Sequence, residues 1–71
     1  MKFNVDAAFN PSQNLAAVAV IVGDHSGAMF TGSARRFPCD NILRAEAEAM
    51  LDAVRMAVAM DVRNPIFEGD S

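Results

Sequence analysis

The chain has one cysteine and one histidine among its 71 residues. Cys39 has no partner for an intrachain disulfide. Cys39 and His25 together cannot assemble a Cys/His zinc site. A domain of this size buries only about 60% of the surface its unfolded chain exposes, and here it has neither staple. A lone thiol fits a reducing compartment, so the expected location is intracellular, nuclear or cytoplasmic. No apolar run approaches the ~20 residues needed to span a bilayer. Met1-Lys2 leads straight into a strand pattern, not into the apolar core of a signal peptide. There is no internal repeat, low-complexity tract or linker, and no glycine-rich phosphate loop, because no helix follows Gly23 and Gly27. Ser12 and Ser26 have no adjacent base, which argues against nucleophilic catalysis. Basic residues are also in the minority, six Lys and Arg against nine Asp and Glu, for a net charge of −3. That balance argues against a free-standing phosphate-binding surface, although a metal ion can bridge acids to phosphates.

What is present is a core and a clear order of elements. Hydrophobic residues make up 52% of the chain and charged residues 21%. Residues 2–8 alternate, with Phe3, Val5 and Ala7 on one side and Asn4, Asp6 and Ala8 on the other, which predicts a first strand. Asn10-Pro11-Ser12-Gln13-Asn14 is a turn by its chemistry. Leu15 to Val22 carries no charge and is rich in β-branched residues, which predicts a central strand buried on both faces. Gly23 to Gly27 reverses the chain into a returning strand from Ala28 to Arg36. Asp40 or Asn41 can cap a helix over Ile42–Met60, a stretch of good helix formers without Gly or Pro. Pro65 fits only at a strand start or on an edge, and residues 66–70 read as a short final strand. The expected fold class is therefore α/β with the order β-β-β-α-β: three antiparallel strands, then a helix crossing over to a strand parallel to the first.

Three carboxylates stand out against this frame. Asp6 lies on the first strand, Glu46 on the helix, and Asp70 ends the last strand-like run. Burying a carboxylate costs several kcal/mol unless a cation pairs with it. At about 100° per residue, Arg44, Glu48, Asp52 and Arg55 fall within roughly 80° of one another. This arc reads as the wet face, with Arg44–Glu48 and Asp52–Arg55 pairs. Glu46 lies roughly 160° from its centre, beside Met50, Ala53 and Ala57. Each acid also has a plainer explanation: a strand end beside a turn for Asp6, the helix macrodipole for Glu46, a cap for Asp70. Three acids converging on one crevice would suit Mg²⁺ or Mn²⁺, hard cations that take oxygen ligands. The methionines Met50, Met56 and Met60 read as a soft core, His25 as a solvated turn residue, and Arg35 and Arg36 as a solvated strand end or a phosphate contact.

The chain resembles the ribonuclease H family, and more closely the plant ribonuclease H-like domains associated with retrotransposons. The resemblance covers essentially all 71 residues. It rests on Phe3-Asn4-Val5-Asp6-Ala7-Ala8, on Val20 through Gly27, on Ala34-Arg35-Arg36-Phe37-Pro38, on Arg44-Ala45-Glu46-Ala47 and on Phe67-Glu68-Gly69-Asp70-Ser71. It implies a ribonuclease H-like mixed sheet and two-metal cleavage of the RNA strand of an RNA–DNA hybrid. Asp6, Glu46 and Asp70 would be the catalytic and metal-binding residues, with Asp6 bridging the ions. Two departures are the Ala7 that stands where the family has glycine and the Pro65 in place of a strand residue. The family's fourth acid and its catalytic histidine are not matched, so the resemblance implies a partial domain over 1–71, truncated and with weak or no turnover. An exposed strand edge would invite self-association. Two other readings stay open: a non-catalytic nucleic-acid or protein-binding module with the same fold, and a plain structural α/β fragment.

Overall fold

Turn chemistry divides the chain into β1 (Lys2–Asn10), β2 (Leu15–Gly23), β3 (Met29–Pro38), α1 (Ile42–Ala59) and β4 (Ile66–Gly69). The structure, a computed structural model, describes residues 1–69. Between β1 and β2, the Asn10 side-chain oxygen accepts from the Ser12 amide at 3.1 Å and its hydroxyl at 2.7 Å. Between β2 and β3, the Asp24 carboxylate accepts from the amides of Ser26 and Ala28 and from the Ser26 hydroxyl. Those donors, the hydroxyl foremost, hold Asp24 below the usual carboxylate range. Gly27 takes φ +91°, a backbone conformation that side chains disfavour. The sheet order is β3-β2-β1-β4, with β1–β2 and β2–β3 antiparallel and β4 parallel to β1. This is the mixed α/β sheet expected. β1 and β3 each run two residues beyond the expected ends, to Asn10 and Pro38.

Asn41 resolves the choice of cap: its side-chain oxygen accepts from the Arg44 amide at 2.8 Å. At the other end Asp61 adopts φ +54°, while the Val62 amide donates to Ala57 O and the Asp61 amide to Val58 O. That pattern satisfies the last carbonyls in a Schellman motif. α1 starts beside the Asn10 end of β1, where Ala45 packs with Ala16, Cys39 and Phe9. It ends beside the Lys2 end, where the Ile66 amide opens β4 by donating to Met1 O at 3.0 Å.

The helix rests on the sheet through a row of alanines, Ala45, Ala49, Ala53 and Ala57, all buried. Ala49, Ala53 and Ala57 meet Phe3, Val5, Val18, Val20 and Val22, and Phe3 packs on Phe67 with ring centroids 5.4 Å apart. The expected wet face of the helix is corrected here. Glu48 and Asp52 turn toward β3 and pair with Arg35 at 2.8 and 2.7 Å, not with Arg44 and Arg55. The expected methionine core is corrected too: Met56 packs against the core, but Met50 and Met60 are exposed.

β2 is a central strand, as expected, but it is not buried on both faces. Ala16, Val18, Val20 and Val22 are buried under α1, whereas Ala17 and Ile21 are exposed on the opposite side. Among the described residues, one face of the sheet is covered and the other is open.

Candidate functional site

The pleat of β1 decides where Asp6 points. Successive residues face opposite sides of a strand. Phe3 and Val5 are buried under α1, so Asp6, which is exposed, stands on the open face. Its register neighbours across the sheet are Ala19 on β2 and then Ala34 on β3. On the other side, β4 pairs Gly69 with Val5, the residue just before Asp6. No described residue forms an ion pair with the Asp6 carboxylate.

Glu46 lies early in α1 and is exposed. The Glu48–Asp52–Met56 flank faces β3, through Arg35 and through Ser33, whose hydroxyl reaches the Met56 sulfur at 3.4 Å. Glu46 follows Ala45 by about 100° of helical rotation, which sets it on the opposite flank, toward β4. It stands beside the packed alanine row and not within it, and it too has no ion-pair partner among the described residues. Asp6 and Glu46 belong to different layers at the same end of the sheet, since their neighbours Ala7 and Ala45 share one packed cluster. Asp70 lies outside the described residues. Among the described residues, no three His, Cys, Asp or Glu side chains gather into a metal-binding group.

A cleft of about 210 Å³ opens beside Asp6, lined also by Asn4, Ala19, Ile21, Glu68 and Gly69. Glu68 is neutralised at its rim by Lys2 at 3.2 Å. A wider hollow of about 500 Å³ adjoins it, with Asp6, Ala8, Ala17, Ala34 and Arg36 in its lining. Ala7, the departure from the family's glycine, points to the helix layer and packs against both core clusters. Its methyl group therefore leaves the Asp6 face clear. His25 is exposed in the hairpin turn.

The two adjacent arginines, which the sequence presents as a pair, have different fates. Arg35 faces the helix, forks onto Asp52 and Glu48, and lies 4.6 Å from the centroid of the Phe37 ring. These two carboxylates push its pKa up. Arg36 faces the open side with Asp6. Strand parity carried that signal, since residues one apart must face opposite ways.

The family model described as reverse transcriptase-like matches residues 4–71, a span that contains Asp6, Glu46 and Asp70. The chain belongs to the reverse transcriptase-like family. It is thus an RNase H-like domain in sequence, and its mixed sheet, with one helix linking the antiparallel strands to a parallel fourth, agrees with that family. No curated protein and no solved structure matches the chain. No helix among the described residues of this RNase H-like domain is long and apolar enough to cross a membrane.

Proposed function

We propose that residues 1–71 form part of a ribonuclease H-type site that engages the RNA strand of an RNA–DNA hybrid with Mg²⁺ or Mn²⁺. Asp6, Glu46 and Asp70 are the residues that would hold the cations. The observation that carries this reading is Asp6: a carboxylate at mid-sheet, on the open face, with no cationic partner among the described residues. Membership of the reverse transcriptase-like family over 4–71 supports it. Exposed carboxylate oxygens are the kind of donor that hard divalent cations take, alongside several waters and phosphate oxygens, although Asp6 and Glu46 stand in different layers and no three described acids gather into a metal-binding group. When bound, such cations supply the Lewis acidity that activates water and stabilises the leaving oxygen.

The chain's own residues do the holding. Asp6 offers its oxygens to the open face. The alanines around it admit a backbone close to the sheet. Lys2 masks the Glu68 charge that would repel a phosphate. The fourth acid implied by the resemblance is not among these residues, so hydrolysis by them alone is expected to be weak. The plant and retrotransposon affiliation belongs to the same reading. So does self-association, for which the outer strands β3 and β4 are the edges among the described residues.

The test is binding of a labelled RNA–DNA hybrid in Mg²⁺ and in EDTA, with the wild type and Asp6→Asn. Metal-dependent binding lost in Asp6→Asn is the expected result. Binding that ignores both metal and the substitution would replace this reading with the non-catalytic nucleic-acid-binding module. No binding in any condition would leave only the structural fragment.

A further inference from the structure

Beyond Asp6, the open face carries a continuous groove. The cleft at Asn4 and Glu68 joins the hollow at Asp6 and Arg36, which joins a third of about 300 Å³ reaching Asn10 and Gln13. Ala19 and Asp6 border the first and second, and Ala8, Ala17 and Arg36 border the second and third. From Asn4 to Asn10 the groove spans about 20 Å at the usual rise of a strand. Its floor is built from Ala8, Ala17, Ala19 and Ala34, side chains too short to obstruct an extended ligand.

The charges along it are few. Lys2 and Glu68 neutralise one another at one end. Asp6 stands in the middle. Arg36 pairs with Ala17, whose other neighbour is Ala8, so the guanidinium stands two strands across and one pleat along from Asp6. Neighbouring Arg35 is engaged by Glu48 and Asp52, whereas Arg36 forms no ion pair with any described residue.

We infer that Arg36 is a phosphate contact for the nucleic-acid strand of the proposed function, on the Asn10 side of Asp6. The inference rests on the proposed function, since it gives Asp6 the neighbouring phosphate through a bound cation. The planar guanidinium suits a phosphate, to which it can donate two parallel hydrogen bonds. Arg36 is a positioning residue: it holds the strand and touches no reacting atom. It sets register along the groove without reading bases.

The experiment measures the affinity of a short labelled RNA–DNA hybrid in Mg²⁺ as salt rises from about 50 to 200 mM, for wild type, Arg36→Ala, Arg36→Lys and Arg55→Ala. One phosphate contact contributes about 0.9 to the slope of log affinity against log salt. Arg36→Ala is expected to lower that slope by about this amount, equally for hybrids of different sequence. Arg36→Lys keeps the slope, and Arg55→Ala, on the exposed side of α1, leaves it unchanged. An unchanged slope in Arg36→Ala, with the wild type binding normally, overturns the Arg36 contact and leaves the proposed function standing. A wild type that does not bind the hybrid overturns both. Circular dichroism of each variant separates these results from unfolding.

Discussion

Replacing Asn41 with alanine should lower stability by about 1 kcal/mol, the typical cost of losing a helix cap. Asn41 has extended backbone angles, φ −157° and ψ 155°, and its side-chain oxygen takes the Arg44 amide at 2.8 Å. That bond satisfies one of the orphan amides at the start of α1. For a domain whose total stability is on the order of 5 kcal/mol, the loss is a large fraction. In a chain of this size it corresponds to a melting midpoint lower by about 4–8 °C. Asn41→Asp should match or exceed the wild type, because aspartate caps as well and its charge favours the helix N-terminus. Asn41→Gly should lose only a few tenths of a kcal/mol. Asp40→Ala should be nearly silent, since Asp40 serves only as an acceptor for the Asn41 side-chain amide. Thermal melts followed at 222 nm, a helix band, measure all four. An Asp40→Ala loss as large as that of Asn41→Ala, or an Asn41→Asp variant no better than alanine, would refute the assignment of the cap.

Three further outcomes follow from the packing and the charges. Phe3→Ala removes a fully buried ring that packs on Phe67; a loss of about 3–5 kcal/mol should leave the chain largely unfolded in a urea titration. Arg35→Ala strips Asp52 and Glu48 of their partner; the melting midpoint should fall, and Arg35→Lys should recover only part of it, because lysine cannot reproduce the planar fork. Asp24 is held below its ordinary pKa in the folded chain, chiefly by the Ser26 hydroxyl. Its stabilisation is present above the unfolded value of about 3.9 and is lost as pH falls through the lower folded value. Asp24→Asn should therefore reduce the acid-side dependence of the melting midpoint between about pH 4 and pH 2, and an unchanged acid limb would contradict it.

Much of the fold was legible because its signals are local. Alternation in residues 2–8, the charge-free run from Leu15 and the turn residues at Asn10 and Gly23 each act over a few positions. What was not legible depended on partners far along the chain. Arg35 meets Glu48 and Asp52 across 13 and 17 residues, so a helical wheel takes those acids for a solvated arc. Alanine gives a weak hydrophobic signal, so Met50 looked like core while the close approach ran through Ala45 and Ala49. β2 looked buried on both faces because Ala17, Ala19 and Ile21 are apolar, although only the valine side is covered. For the site, the parity of β1 set Asp6 against the core residues from the start. Helical phase alone did not place Glu46, which stands on a flank whose direction is fixed by the Arg35 pairs on the other one.

Thermal melts in rising Mg²⁺ or Mn²⁺, with wild type, Asp6→Asn and Glu46→Gln side by side, test most directly whether these acids share a cation. A ligand at about a hundred times its dissociation constant stabilises the folded state by about 2.7 kcal/mol, which for this chain length is a rise of about 10 °C or more. That rise is expected in the wild type and is expected to be lost in both variants. A wild type indifferent to either metal, or an equal rise in all three proteins, would contradict a shared cation.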